Sequence, residues 1–207
     1  MSSILDNTNE SVASLKDELR KEYIRGELAR IVSIGLSSPL EMTGEEPEAL
    51  RALTTDAPVA WQSFINEMAR EWEQALEDRQ KLSVAYARLF LGPFEILAMP
   101  YASFYLEPNQ RLMGDISIWV AEQYAEAGLK PGTGTREVPD HAALEWEFFY
   151  YLTHQYVNTQ STTWLEKRNS FLELHMRRWI PVFCNAIQKA SIHPFYDSAA
   201  RLMLGII

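Results

Sequence analysis

Cysteine is nearly missing from this chain of 207 residues: Cys184 is the only one. One thiol excludes an intramolecular disulfide framework and any Cys-rich zinc or iron–sulfur site. Basic residues are outnumbered, with 19 Lys and Arg against 28 Asp and Glu and a net charge of −9. That balance argues against general nucleic-acid binding, which needs basic clusters, and permits a cationic peptide or protein partner. No run approaches the ~18 apolar residues of a membrane helix. The first residues place Asp6 and Glu10 ahead of Lys16 and contain no basic-then-apolar succession, so a secretory signal is not expected. The pair Arg177-Arg178 lies deep in a helical pattern and does not read as an export signal. The expected location is the cytoplasm.

Catalytic patterns are equally scarce. There is no Gly-x-Ser-x-Gly elbow, no His-Glu-x-x-His zinc helix and no phosphate loop ending in Gly-Lys-Ser/Thr. None of the four His residues follows a Glu by three positions, which excludes the di-iron pattern of helical bundles. Gly132-Thr-Gly134 does not extend into a dinucleotide fingerprint. No catalytic set, metal site or resident cofactor is expected, and the protein reads as one that binds rather than catalyses.

What the chain does hold is helical periodicity and aromatic bulk. Hydrophobic residues make up 47% and aromatics 12%, enough for a sizeable core. Leu15, Leu19, Tyr23, Leu28, Ile31 and Gly35 form one stripe, stopped at Ser37-Ser38-Pro39. Pro47 opens a short helix ending near Leu53, and Pro58 opens a longer one lined by Trp61, Phe64, Ile65, Met68, Trp72 and Leu76. Leu82, Tyr86, Leu89 and Phe90 continue the pattern to Gly92-Pro93. Residues 92–114 have three prolines and many aromatics without a helical period, and read as a long ordered loop, partly extended. A helix follows from Asp115 to about Ala127, then a Gly/Thr/Pro stretch. Asp140 is a plausible N-cap for the next helix, and Thr163 to Glu166 has capping-box spacing. Pro181 should kink its helix or start another, and Pro194 begins a closing helix that buries Phe195, Leu202 and Ile206. The fold expected is all-α: one helical-bundle domain over 1–207, with N-terminal helices 1–91, a loop-rich middle 92–139 and C-terminal helices 140–207.

Several residues are candidates for a site, each with a plainer alternative. Asp140-His141 sits where a Pro/Gly loop meets a helix and can face a partner, or Asp140 is only a cap and His141 only surface. His141 and Glu145 share a helix face and form half a metal site, or simply hydrogen-bonded neighbours. Pro100-Tyr101 and Phe104-Tyr105-Leu106 are amphipathic aromatics of the kind found on peptide-binding surfaces, or they pack the loop onto the bundle. Tyr86, Leu89 and Phe90 are core, or one wall of a groove. The loop Lys130 to Glu137 can cradle a phosphate through backbone N–H groups, or is merely flexible. Cys184, beside Val182-Phe183, reads as an inert buried thiol.

These residues resemble a known family. Tyr86-Ala-Arg-Leu-Phe90 with Gly92-Pro93, Pro100-Tyr101-x-Ser103-x-Tyr105-Leu106 and Leu112-Met-Gly114 look like the central pattern of the TorD/DmsD/NarJ chaperones. Val138-Pro-Asp140-His141 with Glu145 resembles their Pro-x-Asp-His motif, and Trp179 through His193-Pro-Phe-Tyr196 also fits. The likeness covers roughly residues 80–205. It implies an all-helical cytoplasmic protein, not an enzyme, that binds the apo catalytic subunit of a molybdoenzyme, commonly through its twin-arginine leader. Such proteins assist cofactor insertion and delay export until maturation, with the Tat translocase or the insertion machinery as further partners. By position, the implied peptide surface comprises Tyr86, Leu89, Phe90, Pro100, Tyr101, Asp140 and His141. Glu137 joins them as a carboxylate for the leader's arginines. Val138 stands where many relatives have Pro, and Tyr101 where many have Trp; both bear on cargo choice. The alternative readings are a GTP-binding or hydrolysing switch on the Lys130–Glu137 loop, and a helical scaffold for another assembly.

Overall fold

The structure, a computed structural model, describes residues 2–40, 42–92, 95–130 and 138–207, with side chains from Ser14 onward. Its elements are α1 (Ser2–Leu36), α2 (Glu46–Thr54), α3 (Val59–Glu77), α4 (Arg79–Tyr86), α5 (Ala102–Leu106), α6 (Asp115–Glu126), α7 (Ala142–Thr159), α8 (Thr162–Phe171), α9 (Arg177–Ala190) and α10 (Pro194–Ile206). Among the described residues there is no β-strand, only an isolated antiparallel bridge between Tyr101 and His141. No helix among them is long and apolar enough to cross a membrane.

Proline sets many of the starts. Pro47 lies in the first turn of α2, Pro58 is the cap of α3 and Pro194 lies in the first turn of α10. A proline there gives up a backbone donor that has no intrahelical acceptor anyway. α1 packs mainly on α7, while α10 lies against both α3 and α9. These contacts close one apolar core, with Trp72, Trp146, Trp179, Phe149, Phe195 and Tyr196 fully buried.

Local readings fail in three places, and at Pro181 one of two alternatives is excluded. The apolar stripe of α1 begins later than its spacing suggests: Leu15 and Tyr23 are about half exposed at 50% and 49%. The buried face is Ile24, Leu28, Ile31, Val32 and Leu36, where α7 covers the helix. The aromatic segment after Gly92 is not simply a loop, since it contains α5 and a 3-10 turn at Pro108–Gln110. The Thr163–Glu166 capping box does not form; Ser161 is the cap of α8 and makes no side-chain cap bond. Pro181 does not start a helix but sits inside α9. Pro181 and Arg177 are both exposed, so the Arg177 carbonyl that loses its donor lies on the water side.

Two helices pass through π turns, at Ala87–Leu91 after α4 and at Leu172–Met176 between α8 and α9. Each inserts an extra residue and re-aims the side chains that follow. Both π turns supply residues to the region described next.

Candidate functional site

The π turn after α4 ends on Gly92, whose N–H donates to the Ala87 carbonyl at 2.7 Å. Gly92 has φ +46°, and a Cβ there would lie 2.5 Å from the Glu95 carbonyl oxygen, so only glycine fits this reversal. The chain then returns alongside the turn, with Ala98 N–H donating to the Leu89 carbonyl at 2.9 Å. Leu89 and Phe90 point inward, at 0% and 3% exposure. Phe90 meets Tyr86 and Tyr196 edge-to-face, each with ring centroids 5.2 Å apart. Of the two readings of Leu89 and Phe90, core or groove wall, the core reading holds. They are core, because the π turn rotates them under α10, and the exposed apolar residue of the turn is Leu91, at 61%.

Asp140 and His141 join two separate segments. Ala142 N–H donates to the Pro100 carbonyl at 2.8 Å, and Ala102 N–H donates to the Asp140 carbonyl at 3.0 Å. The Asp140 carboxylate then accepts from Ser103 N–H through Oδ2 and from the Ser117 hydroxyl through Oδ1, both at 2.7 Å. Ala102 and Ser103 are the first residues of α5, so Asp140 caps α5 rather than the helix that follows it. The cap of α7 is His141, whose Nδ1 accepts from Ala143 N–H at 3.2 Å. Accepting that bond requires an unprotonated Nδ1. Tyr101 and His141 stand ring to ring at 5.2 Å and 71°. Tyr124 closes the far side, its hydroxyl donating to the Pro139 carbonyl at 2.7 Å.

A second buried acid lies one turn into α7. Glu145 has no exposure, and its Oε1 lies 2.7 Å from His175 Nε2. Its Oε2 accepts from Trp179 Nε1–H at 2.9 Å. Burial pushes the Glu145 carboxyl above the ordinary range; His175 and Trp179 oppose this, and the Asp140 charge adds to it. The π turn at Leu172–Met176 holds His175 inward, where Trp119 packs over its ring at 5.0 Å. The idea of Glu145 as half of a metal site with His141 does not hold, since both of its oxygens are committed across the bundle. No group of three potential metal ligands occurs among the described residues. His175 and Trp179 stand 30 and 34 residues away from Glu145, so no local spacing announces the trio.

The predicted site residues thus fall into three groups. Leu89, Phe90, Pro100, Asp140 and His141 are buried, so the open cleft lined by them is not what the fold builds. Tyr86 and Tyr101 are half-buried at its edge, with Leu91 and Leu97 exposed nearby. Glu137 and most of the Lys130–Glu137 loop lie outside the described residues. Tyr105 turns inward and stacks on Trp179 at 5.8 Å and 24°, while Phe104 packs edge-on against it. Gly114 is matched to Glu107: a Cβ there would lie 2.6 Å from Glu107 Oε1, the oxygen that accepts Ile116 N–H at 2.7 Å. Cys184 is fully buried, and burial pushes its thiol far above the ordinary value, as an inert role requires.

The fold is thus an all-helical bundle whose central segment is pinned through both the backbone and the carboxylate of Asp140. The chain belongs to the nitrate reductase delta subunit family, the TorD/NarJ family, whose model matches residues 50–185. It is 29% identical over 140 residues to the chaperone protein TorD of Vibrio cholerae serotype O1, covering 64% of this chain. That alignment spans 63% of the Vibrio cholerae protein's own length. The TorD of Vibrio parahaemolyticus serotype O3:K6 is 25% identical over 192 residues, with 89% of this chain and 83% of the relative covered. A crystal structure from Archaeoglobus fulgidus, described as a redox enzyme maturation protein, superposes with a TM-score of 0.57. It is 22% identical and covers 87% of this chain and 91% of that one, and it establishes the shared fold.

Proposed function

We propose that this chain is a non-enzymatic chaperone for a molybdoenzyme, acting in the cytoplasm. It binds the apo catalytic subunit through its twin-arginine leader and holds back export until the cofactor is in place. The observation that carries the reading is the joint at Asp140, where the two segments resembling the family's motifs are stitched together. In this reading that joint and the π turn support a binding rim of Tyr86 and Tyr101, which are half-buried, with Leu91 and Leu97, which are exposed.

In this reading the buried residues position and the rim touches. Asp140 caps α5 and so fixes Tyr101, while Leu89 and Phe90 anchor the turn that carries Leu91. The leader's apolar stretch packs on the rim, and its arginines meet the exposed carboxylate of Glu95 at the edge. Covering about 300 Å² of apolar surface gives roughly 7 kcal/mol gross, and ordering a flexible peptide takes back several. With polar contacts added, micromolar affinity is the expected outcome, weak enough to permit release.

The test is calorimetric titration with synthetic leaders of the host's molybdoenzymes. Leu91→Asp and Leu97→Asp should weaken binding about tenfold or more while leaving the thermal midpoint unchanged. Replacing both leader arginines should do the same. Failure of every host leader to bind, or equal affinity in both rim variants, contradicts the proposal.

A further inference from the structure

A separate feature lies between α1 and the α8–α9 arm. Glu22 is 2% exposed and sits between two guanidinium groups. Arg168 Nη2 lies 2.8 Å from its Oε2, and Arg25 Nη1 lies 3.1 Å from its Oε1. The side chains of Arg168, Arg25 and Glu22 are 5%, 15% and 3% exposed, so two cations share one anion away from water. Neither Arg25 Nε nor Arg168 Nε has an acceptor, and Glu22 Oε2, although close to Arg168, accepts no well-formed hydrogen bond. Burial makes the charged form of Arg25 less favourable, Glu22 and to a lesser degree Glu18 offset this, and Arg168 and Arg177 add to it by repulsion. The face of Trp61, 5.2 Å from the Arg25 guanidinium carbon, compensates only in part.

These groups line a cleft of about 380 Å³, within the range of small-molecule sites. Lys21 and Arg177 also border it, giving four cations against Glu18, Glu22 and Glu173. Arg177 and Glu173 pair at 3.2 Å but are each about half exposed, so water screens them. The unbalanced charge is therefore the buried one. Two desolvated guanidinium groups sharing one counterion are costly, and a doubly charged oxyanion such as phosphate meets them with charge-assisted, bidentate bonds that a singly charged carboxylate matches only in part.

We propose that this cleft is a binding site for a small phosphate-bearing ligand, distinct from the leader-binding rim and independent of that reading. Arg25 and Arg168 supply the buried charge, and Lys21 and Arg177 supply the mobile donors at the mouth. Free phosphate and a phosphomonoester offer the same chemistry, and the cleft has room for more than the bare ion.

Calorimetric titration of the whole protein with inorganic phosphate and with glycerol 2-phosphate separates those sources, with sodium chloride and acetate at equal ionic strength as controls. Saturable binding of one or both phosphates, absent with chloride and acetate, is expected. Arg177→Ala and Lys21→Ala, both at the cleft mouth, should each weaken it about tenfold, one charge-assisted bond's worth. Their thermal midpoints without ligand should equal that of the parent. No saturable phosphate binding up to about 20 mM, several hundred times a tight-site constant, overturns the proposal. So does acetate binding as well as phosphate, or unchanged affinity in both variants.

Discussion

Replacing Asp140 with alanine removes one acceptor from two donors at once. Ser103 N–H and the Ser117 hydroxyl each lie 2.7 Å from the carboxylate, and Ser103 and Ser117 are 0% and 5% exposed. A hydroxyl rotates to another acceptor, but a helix-terminal N–H cannot turn away. Two hydrogen bonds to a charged acceptor, with one donor left buried and unmet, amount to about 3–5 kcal/mol. Relief of repulsion with Glu145 subtracts a little, because the Asp140 charge is one of the things raising that carboxyl. A domain of this size has roughly 10 kcal/mol in total, so the alanine variant should fold but melt about 6–20 °C lower.

Asparagine separates charge from connectivity. Its carbonyl oxygen can keep Ser103 N–H while its amide donates to a rotated Ser117 hydroxyl, so the loss should be only about 1–2 kcal/mol. Urea unfolding of Asp140→Ala, Asp140→Asn and each combined with Ser117→Ala measures this, with a coupling of about 0.5–3 kcal/mol expected between the two sites. If alanine and asparagine cost the same, and both less than about 1 kcal/mol, Asp140 is not a clasp and the reasoning fails. Leader affinity is then properly compared in Asp140→Asn, where lost binding is not lost folding.

Three further outcomes follow from other positions. His193 caps α10 by accepting Phe195 N–H at Nδ1, and burial first and Lys81 second lower its proton affinity below the ordinary value of 6.5. The unfolded chain therefore takes the proton first, so stability is complete above about pH 6.5 and falls as pH drops toward the lower folded value. His193→Asn keeps a cap of about 1 kcal/mol without titrating, and should flatten that part of the stability profile; an equal slope in both proteins speaks against the cap. Gly92→Ala, with φ +46° and a Cβ 2.5 Å from Glu95 O, should cost about 1–3 kcal/mol by thermal melting and weaken leader binding by moving Leu91. Cys184 should react with an aromatic disulfide only as fast as the protein opens, with a rate that rises with urea in step with unfolding; prompt native labelling contradicts its burial.

What was legible in the sequence was local. Pro47, Pro58 and Pro194 announce helix starts because a ring without an N–H suits the first turn, and those starts are where the chain turns helical. The α6 start at Asp115 and the stop after Leu36 follow equally from nearby residues. The π turns had no such signal: Leu82, Tyr86, Leu89 and Phe90 keep a helical spacing through Ala87–Leu91, and only the bond closing from Gly92 to Ala87 reveals the extra residue. Helix α5 was hidden for another reason. It has five residues, too few for a period to show, and its cap comes from Asp140, 37 residues beyond Ser103.

The candidate site was legible as a set of residues but not as a division of labour. Asp140 and His141 both stand out in the sequence, yet the cap expected of Asp140 is made by His141, while Asp140 caps a different helix. The exchange follows from where unpaired donors lie. A five-residue helix breaking an aromatic loop exposes first-turn N–H groups in the protein interior, and buried backbone donors must find acceptors. Its own preceding residue, Tyr101, carries its hydroxyl at the far end of a ring and makes no side-chain cap bond. The nearest acceptor with two oxygens comes from the chain entering α7, and once Asp140 is used there, the next residue must cap α7 itself. Imidazole Nδ1 at His141 does so by accepting the Ala143 N–H. A Pro-Asp-His run opposite a Pro-Tyr-x-Ser run is thus two sides of one joint.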